Sequence, residues 1–417
     1  MAEHPTLQVL RIPAIRHYAV ARFCRAAAST GLAAAVGWHV YDATGSALAL
    51  GILGVVEFLP VIPVGLLGGA LADSRNRVRL ARTAQFAIAA GAAALAIIHA
   101  AGLPVGWVFA AAFLLACGQA IERPANSAIL PALVPAHRFG TAVTVVGTLR
   151  NAALAAGPVA VGFLIAATDV ATAYAAASGM VLASAAALSR LPAAAPAPGT
   201  RGPRADTVSW RAVREGISFV RSNRPILGSV TLDLFAVIFA SVDALLPVFA
   251  RDVLDVGAQG FGLLSGALAF GTFAMSGLML ARPPGPRPGR ALLFAVAVFG
   301  GATLAFAGSA SFVGSIAALV AAGMADQVSM VARETILQLS TPDALRGRVS
   351  AVNFVFIGAS NELGRAESGA LAAWVGAVAS VWWGGALCLA ALGGVALGMP
   401  ELGRFVVPHR TVAGESR

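Results

Sequence analysis

The stretch Gly69-Ala70-Leu71-Ala72-Asp73-Ser74-Arg75-Asn76-Arg77-Val78-Arg79 decides how this chain is read, because it sets one acid and a ladder of arginines between two long apolar runs. Each run is long enough to cross a bilayer, so the charged stretch reads as a short connection between two crossings. Asp73 is placed to cap the helix that follows it. Asn76, like glycine, tolerates a left-handed turn.

Composition points the same way. Of 417 residues, 58% are hydrophobic and 12% charged, with a mean hydropathy of +0.81. A soluble globular chain carries about 25% charged residues, so this one belongs in a lipid bilayer. All 29 basic residues are arginine. Without lysine there is no Walker A phosphate loop and no Schiff-base nucleophile, which removes ATP hydrolysis through that motif and aldolase- or pyridoxal-type chemistry. Cys24, Cys117 and Cys388 lie in apolar stretches without Cys-x-x-Cys spacing and read as small buried hydrophobes. The six histidines form no His-x-x-x-His pair, so no metal site is expected. With no nucleophile constellation either, the chain does not read as an enzyme. The net charge of +10 comes from arginines beside apolar segments, where anionic headgroups answer them, so no nucleic-acid partner is expected.

Counting about 20 apolar residues per crossing gives twelve spans, at roughly 18–40, 48–71, 81–101, 105–122, 139–167 and 170–190, then 225–250, 257–280, 290–309, 312–332, 348–375 and 378–399. Arg11 and Arg16 precede the first span, which reads as a retained helix. Connections bearing Arg75 to Arg82, Arg123 and Arg138, Arg190 to Arg224, Arg282 to Arg290, and Arg333 to Arg348 alternate with connections whose one clear arginine is Arg251. That alternation places both termini in the cytoplasm and makes the number of spans even. Trp38, Trp107, Trp374, Trp382 and Trp383 are expected at the outer boundary and Trp210 at the inner one. His39 and Asp42, near the outer boundary, are expected to be solvated.

The proline- and glycine-rich stretch from Leu191 to Arg204 is a linker. After it, Trp210, Val213, Ile217 and Val220 recur at helical spacing opposite Arg211, Arg214 and Arg221, as expected of a short helix on the inner leaflet. The resulting division is a six-helix half at 1–190, a cytoplasmic linker at 191–224, a second half at 225–400 and a cytoplasmic tail at 401–417. A loose echo favours duplication: Glu122-Arg123-Pro124-Ala125-Asn126, followed by Pro135 and Arg138, recurs as Ala332-Arg333-Glu334-Thr335, followed by Pro342 and Arg346.

The Gly69 to Arg79 stretch resembles the signature loop of the major facilitator superfamily, Gly-x-x-x-Asp-Arg/Lys-x-Gly-Arg-Arg/Lys. Gly69, Asp73 and Arg77 match, while Ser74 and Asn76 replace a basic residue and a glycine. The resemblance implies an all-α membrane fold of twelve helices in two halves, with Gly69, Asp73, Arg75, Arg77, Arg346 and Arg348 forming a conformational gate. Arg150, Asn151, Gly157, Pro158 and Gly162 resemble the antiporter motif of facilitator exporters, Gly-Pro-x-x-Gly-Gly; an ordinary Gly-Pro kink accounts for the same residues.

Four blocks, Val40 to Gly51, Leu245 to Val253, Gln338 to Asn353 and Phe356 to Gly364, are similar to the enterobactin exporter family. That similarity implies a monomeric, multi-pass protein of a bacterial inner membrane. It implies export of a siderophore to the periplasm, driven by the proton gradient without a cofactor. Relatives in that branch export macrolides or other drugs, an uptake permease would use the same fold, and an outer-membrane efflux partner is left open.

Ionisable groups at the centre of a membrane helix cost about 2.5 to 3.5 kcal/mol each, so they mark cavities or partners. The substrate or proton candidates are Glu57, Asp233, Asp243, Asn353, Asn361, Glu362, Arg365 and Glu367. Glu362 and Arg365, three apart, either neutralise each other or face a cavity; Glu367 lies on another face. Arg22 and Arg25, near the inner end of the first span, either snorkel to headgroups or line a vestibule. Asp326 and Arg333 are expected near the gate. Glu57, Asp243 and Glu362 remain equal candidates for the proton carrier. If Asp73 acts at the gate, Asp73→Asn will slow turnover and leave substrate affinity nearly unchanged. Binding and counterflow measured on one preparation separate the two effects, and lost affinity with normal turnover contradicts the gate role.

Overall fold

The computed structural model of the chain describes residues 11–127, 129–192, 210–282, 284–342 and 345–407. Of the side chains singled out above, those of Asp73, Trp210, Arg211, Val213 and Arg346 lie outside the described set, as do linker residues 193–209 and the tail from 408.

The described chain is almost wholly helical. In the first set, α1 spans Pro13–Thr44, α2 runs in two pieces, Ala47–Phe58 and Val61–Ser74, α3 spans Arg77–Ala100, α4 Gly106–Ser127, α5 Ala136–Ala167 and α6 Val170–Ser189. A linker helix, Trp210–Ser222, leads to α7 at Arg224–Ala240, α8 at Gly257–Ala281, α9 at Pro288–Ala307, α10 at Phe312–Ser340, α11 at Arg346–Val375 and α12 at Ala377–Gly398. Among the described residues, ten stretches are long and apolar enough to cross a membrane. The long helices outside that set are α1 and α11, whose apolar lengths are interrupted by Arg22, Arg25, His39 and Asp42, and by Glu362, Arg365 and Glu367.

Local chemistry sets the helix ends. Ser46, Asn76, Asp169, Asn223 and Ser311 each accept a hydrogen bond from a first-turn amide. The Thr172 amide holds the exposed Asp169 carboxyl below the usual carboxylate range. Asn76 does this work for α3 from an extended conformation, φ −62°. It therefore makes no left-handed turn, and Asp73 sits instead in the last turn of α2.

Several span ends differ from the sequence expectation, each for a physical reason. Proline at 60 breaks α2 after Glu57, because it offers no amide to continue the ladder. The α7 helix stops at Ala240, and the segment to Val253 is irregular around Pro247, with a π-helical turn at Phe249–Val253. Conversely, α4 continues through Pro124 to Ser127, and α10 reaches Ser340, so Glu122 and Arg333 belong to helices rather than connections. Trp38 is buried against Phe261, ring centroids 5.4 Å apart, rather than placed in a boundary belt. Trp107, Trp374, Trp382 and Trp383 are exposed, as boundary residues should be.

The linker helix packs on α11 rather than presenting its apolar face to lipid: Val220 joins the core around Ile226 and Val352, with Ile217 against it. Gly216 permits the approach, since a methyl there would lie 2.9 Å from Val352 Cγ2.

The two sets of helices meet along two seams, α2 on α11 and α5 on α8. At both, backbone touches backbone: a methyl on Gly369 would lie 2.6 Å from the Cα of Gly51, and one on Gly162 would lie 2.6 Å from the Cα of Gly262. Small residues at such crossings are what let membrane helices gain close packing. At the arginine-poor end a single core runs through both sets, joining Leu50 and Tyr174 to Phe249, Phe306 and Val381. At the opposite end the cores are separate, one around Ile15, Ile129 and Leu188, the other around Ile226, Leu292 and Ile336. The bundle is thus closed at one end and divided at the other. Gly369→Val forces the α2/α11 seam apart and is expected to destabilise the protein by about 1 to 3 kcal/mol; unfolding in mixed micelles measures this, and unchanged stability would show that the seam has slack.

Candidate functional site

The α2/α11 seam carries a cluster of four charged side chains. Glu57 stands in the last turn before the α2 break, Asp243 just past the end of α7, and Glu362 and Arg365 on α11. Arg365 Nη1 donates to Glu57 Oε2 at 3.0 Å, and Arg365 Nε donates to Asp243 Oδ2 at 3.3 Å. Gly54 lets α2 come this close, because a methyl there would lie 2.9 Å from Arg365 Cβ. The Ser241 hydroxyl donates to Asp243 Oδ1, and Ser368 Oγ donates to the Ser241 carbonyl at 3.0 Å, answering a backbone oxygen freed by the break in α7.

Glu362 is the least satisfied member. Its Oε2 lies 3.5 Å from Arg365 Nη1, yet that oxygen is buried and accepts no hydrogen bond. The neutral pair that helical spacing suggested gives way to a guanidinium committed to two acids from elsewhere in the chain. Three carboxylates face one arginine, a formal −2 when all are ionised.

Two cavities abut this cluster. The larger, about 640 Å³, runs between α1, α2, α4 and α11 from Glu57, Glu362 and Arg365 to Arg123 and Ser127 at the arginine-bearing end. Its walls are mainly apolar, with Val36, Ile62, Leu115 and Ile357, while Gln119 and Asn361 add polar groups. The volume suits a drug-sized molecule. A smaller cavity of about 200 Å³ touches Glu57, Asp243 and Arg365 and is bounded by Pro158 of α5 and Phe261 of α8.

Beyond the smaller cavity the arginine-poor end is latched. Arg251 Nη1 donates to Asp42 Oδ1 at 3.0 Å, the Tyr41 hydroxyl donates to Asp252, and the Arg251 guanidinium lies 6.0 Å from the centre of the Tyr41 ring. His39 is buried here rather than solvated: its Nδ1 is 3.1 Å from the Tyr174 hydroxyl, and its Nε2 is 3.1 Å from His99 Nδ1.

Other candidates fall into a second pattern. Arg25 is buried and donates from Nε to Glu122 Oε2 at 2.6 Å, where Gln85 and Asn126 also donate to Glu122 Oε1 at 2.8 and 3.2 Å. It neither snorkels nor lines the vestibule. Asp233 of α7 pairs with Arg333 of α10 in the second set, so Asp233 lies away from the cavity and Arg333 is a buried partner rather than a gate residue. The two pairs join corresponding helices with the charges exchanged. Glu122 is the residue that sequence reasoning missed as a buried partner. Glu122 stood in the internal echo, but its partner Arg25 lies 97 positions away and could not be read locally.

Arg22 is half-buried near Tyr18 and Arg150; Arg150 is exposed and donates to Asn151 Oδ1 at 3.0 Å. Gly157 lies against Ala27 of α1, and Gly162 forms the α8 seam. Asn353 is buried on α11, while Glu367 is half-buried beside Ser368, apart from the cluster. At the expected gate, Arg75 is exposed, Arg77 is half-buried, Gly69 has open space around it, and Arg348 binds Glu215 of the linker helix at 2.7 Å.

Removing one member of a buried ion pair leaves an uncompensated charge. Glu122→Gln should therefore lower stability by about 3 to 5 kcal/mol, and exchanging the pair, Arg25→Glu with Glu122→Arg, should recover most of it. Equal loss in the exchanged protein would mean that the polar surround, not the pair, sets the cost.

Comparison with known proteins places this architecture. Macrolide efflux protein A of Streptococcus pyogenes is 25% identical over 258 residues, which cover 57% of this chain and 61% of that relative's length. The MFS-type transporter YfiS of Bacillus subtilis is 26% identical over 345 residues, 79% of this chain and 80% of that protein. Among solved structures, a POT peptide transporter bound to sulfate shares the fold with a TM-score of 0.70 at 15% identity, covering 97% of this chain and 99% of that one. A bacterial homologue of the lysosomal transporter Spinster, in an inward-facing and unoccupied conformation, gives 0.64 at 16% identity over 97% and 95% of the two chains. The sequence profile of the Major Facilitator Superfamily matches residues 18–364. It begins within α1 and runs into α11, so helices of both sets fall under it, and the chain belongs to that superfamily of multi-pass membrane transporters.

Proposed function

We propose that the protein is a proton-coupled exporter of amphipathic small molecules, crossing a bacterial inner membrane twelve times as two six-helix halves with both termini in the cytoplasm. The observation that carries this reading is the cluster of Glu57, Asp243 and Glu362 around Arg365, which ties one half to the other at the head of the large cavity. With the arginine-bearing ends cytoplasmic, the divided end of the bundle opens inward and the latched end faces the periplasm. Cargo enters the cavity from the cytoplasm. Rocking about the two glycine seams then closes the inner end and releases the Asp42–Arg251 latch.

The cluster is suited to proton exchange because its net charge changes from −2 to −1 when one carboxylate takes a proton, and the guanidinium hydrogen-bonds to acids of both halves. A proton admitted from the periplasm and released inside returns the carrier. One proton crossing 100 mV supplies about 2.3 kcal/mol, enough for roughly a fiftyfold concentration ratio at 1.4 kcal/mol per decade. In this scheme Gly69, Asp73, Arg75, Arg77, Arg346 and Arg348 belong to the inner gate. Gly157, Pro158 and Gly162 hold α5 close to α1 and α8.

For the cargo, the macrolide efflux relative supports a drug-type molecule. A siderophore is the second reading, supported by the sequence blocks from Gln338 to Gly364. In everted vesicles, an imposed pH gradient should drive uptake of the cargo, and Arg365→Gln should lower it about tenfold, a 1.4 kcal/mol change. Full gradient-driven uptake in all of Glu57→Gln, Asp243→Asn and Glu362→Gln contradicts the coupling role. A deletion strain that becomes drug-sensitive with unchanged siderophore pools supports drug efflux; a fall in secreted siderophore with a rise inside the cell supports the second reading.

A further inference from the structure

We infer that the divided end of the bundle holds a site for an anionic head group, a carboxylate or phosphate on an apolar body, seated between Arg22 of α1 and Arg150 of α5. The transport reading above gives neither arginine a role, and the site is tested by binding alone. The two helices start at the same end of the bundle, α1 at Pro13 and α5 at Ala136, and run side by side, with Gly157 against the backbone of Ala27 and Val161 against Gly31. Val146 packs in one core with Ile15 and Tyr18, and Ala153 packs with Ala26 and Ala27. Arg150 stands one turn from each on the same stripe of α5, so it projects toward α1. Arg22 stands one turn beyond Tyr18 on α1. The buried Tyr18 ring lies near both guanidinium groups, its hydroxyl donating to the Asn126 carbonyl at 3.1 Å.

Neither arginine has an acid. Among the described residues Arg22 makes no hydrogen bond or ion pair, and Arg150 donates to Asn151 Oδ1 alone. Glu122, the acid near Tyr18, is committed to Arg25, Gln85 and Asn126. The chain matches its other buried arginines with carboxylates, at Arg25 and at Arg333. Arg150, by contrast, stands about 21 Å along α5 from Ala136, at 1.5 Å per residue, where a charge without a partner is costly. Each guanidinium offers five N–H donors in a plane. Two of them side by side complement a negative group with two or more oxygens, held by charge-assisted hydrogen bonds. Nearer the start of α5, Phe139 and Val143 lie exposed on the same stripe and give the apolar body a surface to cover. The separate cores at this end leave the pair open to solution and to the adjoining lipid leaflet.

Naphthoate and naphthamide differ by one charge and little in shape, so together they test the head group alone. Equilibrium binding of each to the full chain in zwitterionic nanodiscs, with partitioning into empty nanodiscs subtracted, is the experiment. Naphthoate should bind at least about tenfold more tightly, a 1.4 kcal/mol preference, and added salt should reduce that preference. Arg22→Gln and Arg150→Gln should each remove most of it. Arg16→Gln, which alters an exposed arginine of the same helix, should keep it. Size-exclusion profiles confirm that the variants are folded. A second set of nanodiscs containing phosphatidylglycerol identifies the source of the head group: copurification of that lipid with the wild-type chain but not with Arg150→Gln marks a lipid occupant, and naphthoate binding unchanged by the lipid marks a soluble one.

Equal or tighter naphthamide binding by the wild-type chain overturns the inference without reliance on any variant. Full preference in folded Arg22→Gln and Arg150→Gln overturns it too, as does an equal loss in Arg16→Gln, which would assign the preference to the general charge of that end. Gradient-driven flux in proteoliposomes is read separately. Naphthoate preference without such flux leaves the anion site standing and removes coupled export, whereas flux without naphthoate preference does the reverse.

Discussion

Two contacts between glycines, Gly51 with Gly369 and Gly162 with Gly262, fix how the two sets of helices can meet. In lipid there is no water to expel from between helices, so association depends on close packing, and nothing packs more closely than backbone on backbone. Counting six long helices to a set, α2 corresponds in order to α8 and α5 to α11, so each glycine of one pair lies on the counterpart of a helix in the other. Two such points define an axis. At the arginine-poor end the sets share one core, and at the other they have separate ones, as a tilt about that axis would require.

The buried ion pairs serve a different end. Arg25 with Glu122 and Asp233 with Arg333 each lie inside one set, linking α1 to α4 and α7 to α10. A buried pair gains little over a well-packed apolar contact but is costly to break, because separation leaves charge without a partner. Such pairs hold a helix set together as a body. The exchange of charge between the sets shows that the requirement is neutrality at that depth, which either order of acid and base satisfies. In the rocking proposed above, motion would concentrate at the glycine seams and at the cluster on Arg365, where the sets touch.

Much of this was legible in the sequence, and the gaps have identifiable causes. Apolar length located the long helices, ten of which among the described residues can cross a membrane, and the alternation of arginine separated one end of the bundle from the other, because both depend on local composition. Asn76 was visible as a turn former but works as a helix cap, and Glu122 looked terminal because Arg123 and Pro124 follow it. Helices in lipid tolerate proline when neighbours answer the freed groups, so α4 runs on and carries Glu122 inside. The partners of Arg365 could not be read locally: Glu57 lies 308 positions away, whereas Glu362, the neighbour that spacing nominated, makes the longest contact in the cluster. Trp38 and His39 were assigned by nearness to a boundary, but α1 is surrounded by α5, α6 and the segment after α7.

The number of acids around Arg365 separates a structural role from a functional one. A buried guanidinium is neutralised by one carboxylate, and the pairs at Arg25 and Arg333 show that this chain builds such neutral pairs elsewhere. At Arg365 there are three. Each surplus carboxylate in a mainly apolar cavity raises the free energy of the ionised site, and one of the three has no hydrogen bond at its buried oxygen. A site arranged for stability alone would not hold that excess. The proton coupling proposed above would use that excess, since an acid whose negative charge is already satisfied by the protein has no reason to take up a proton.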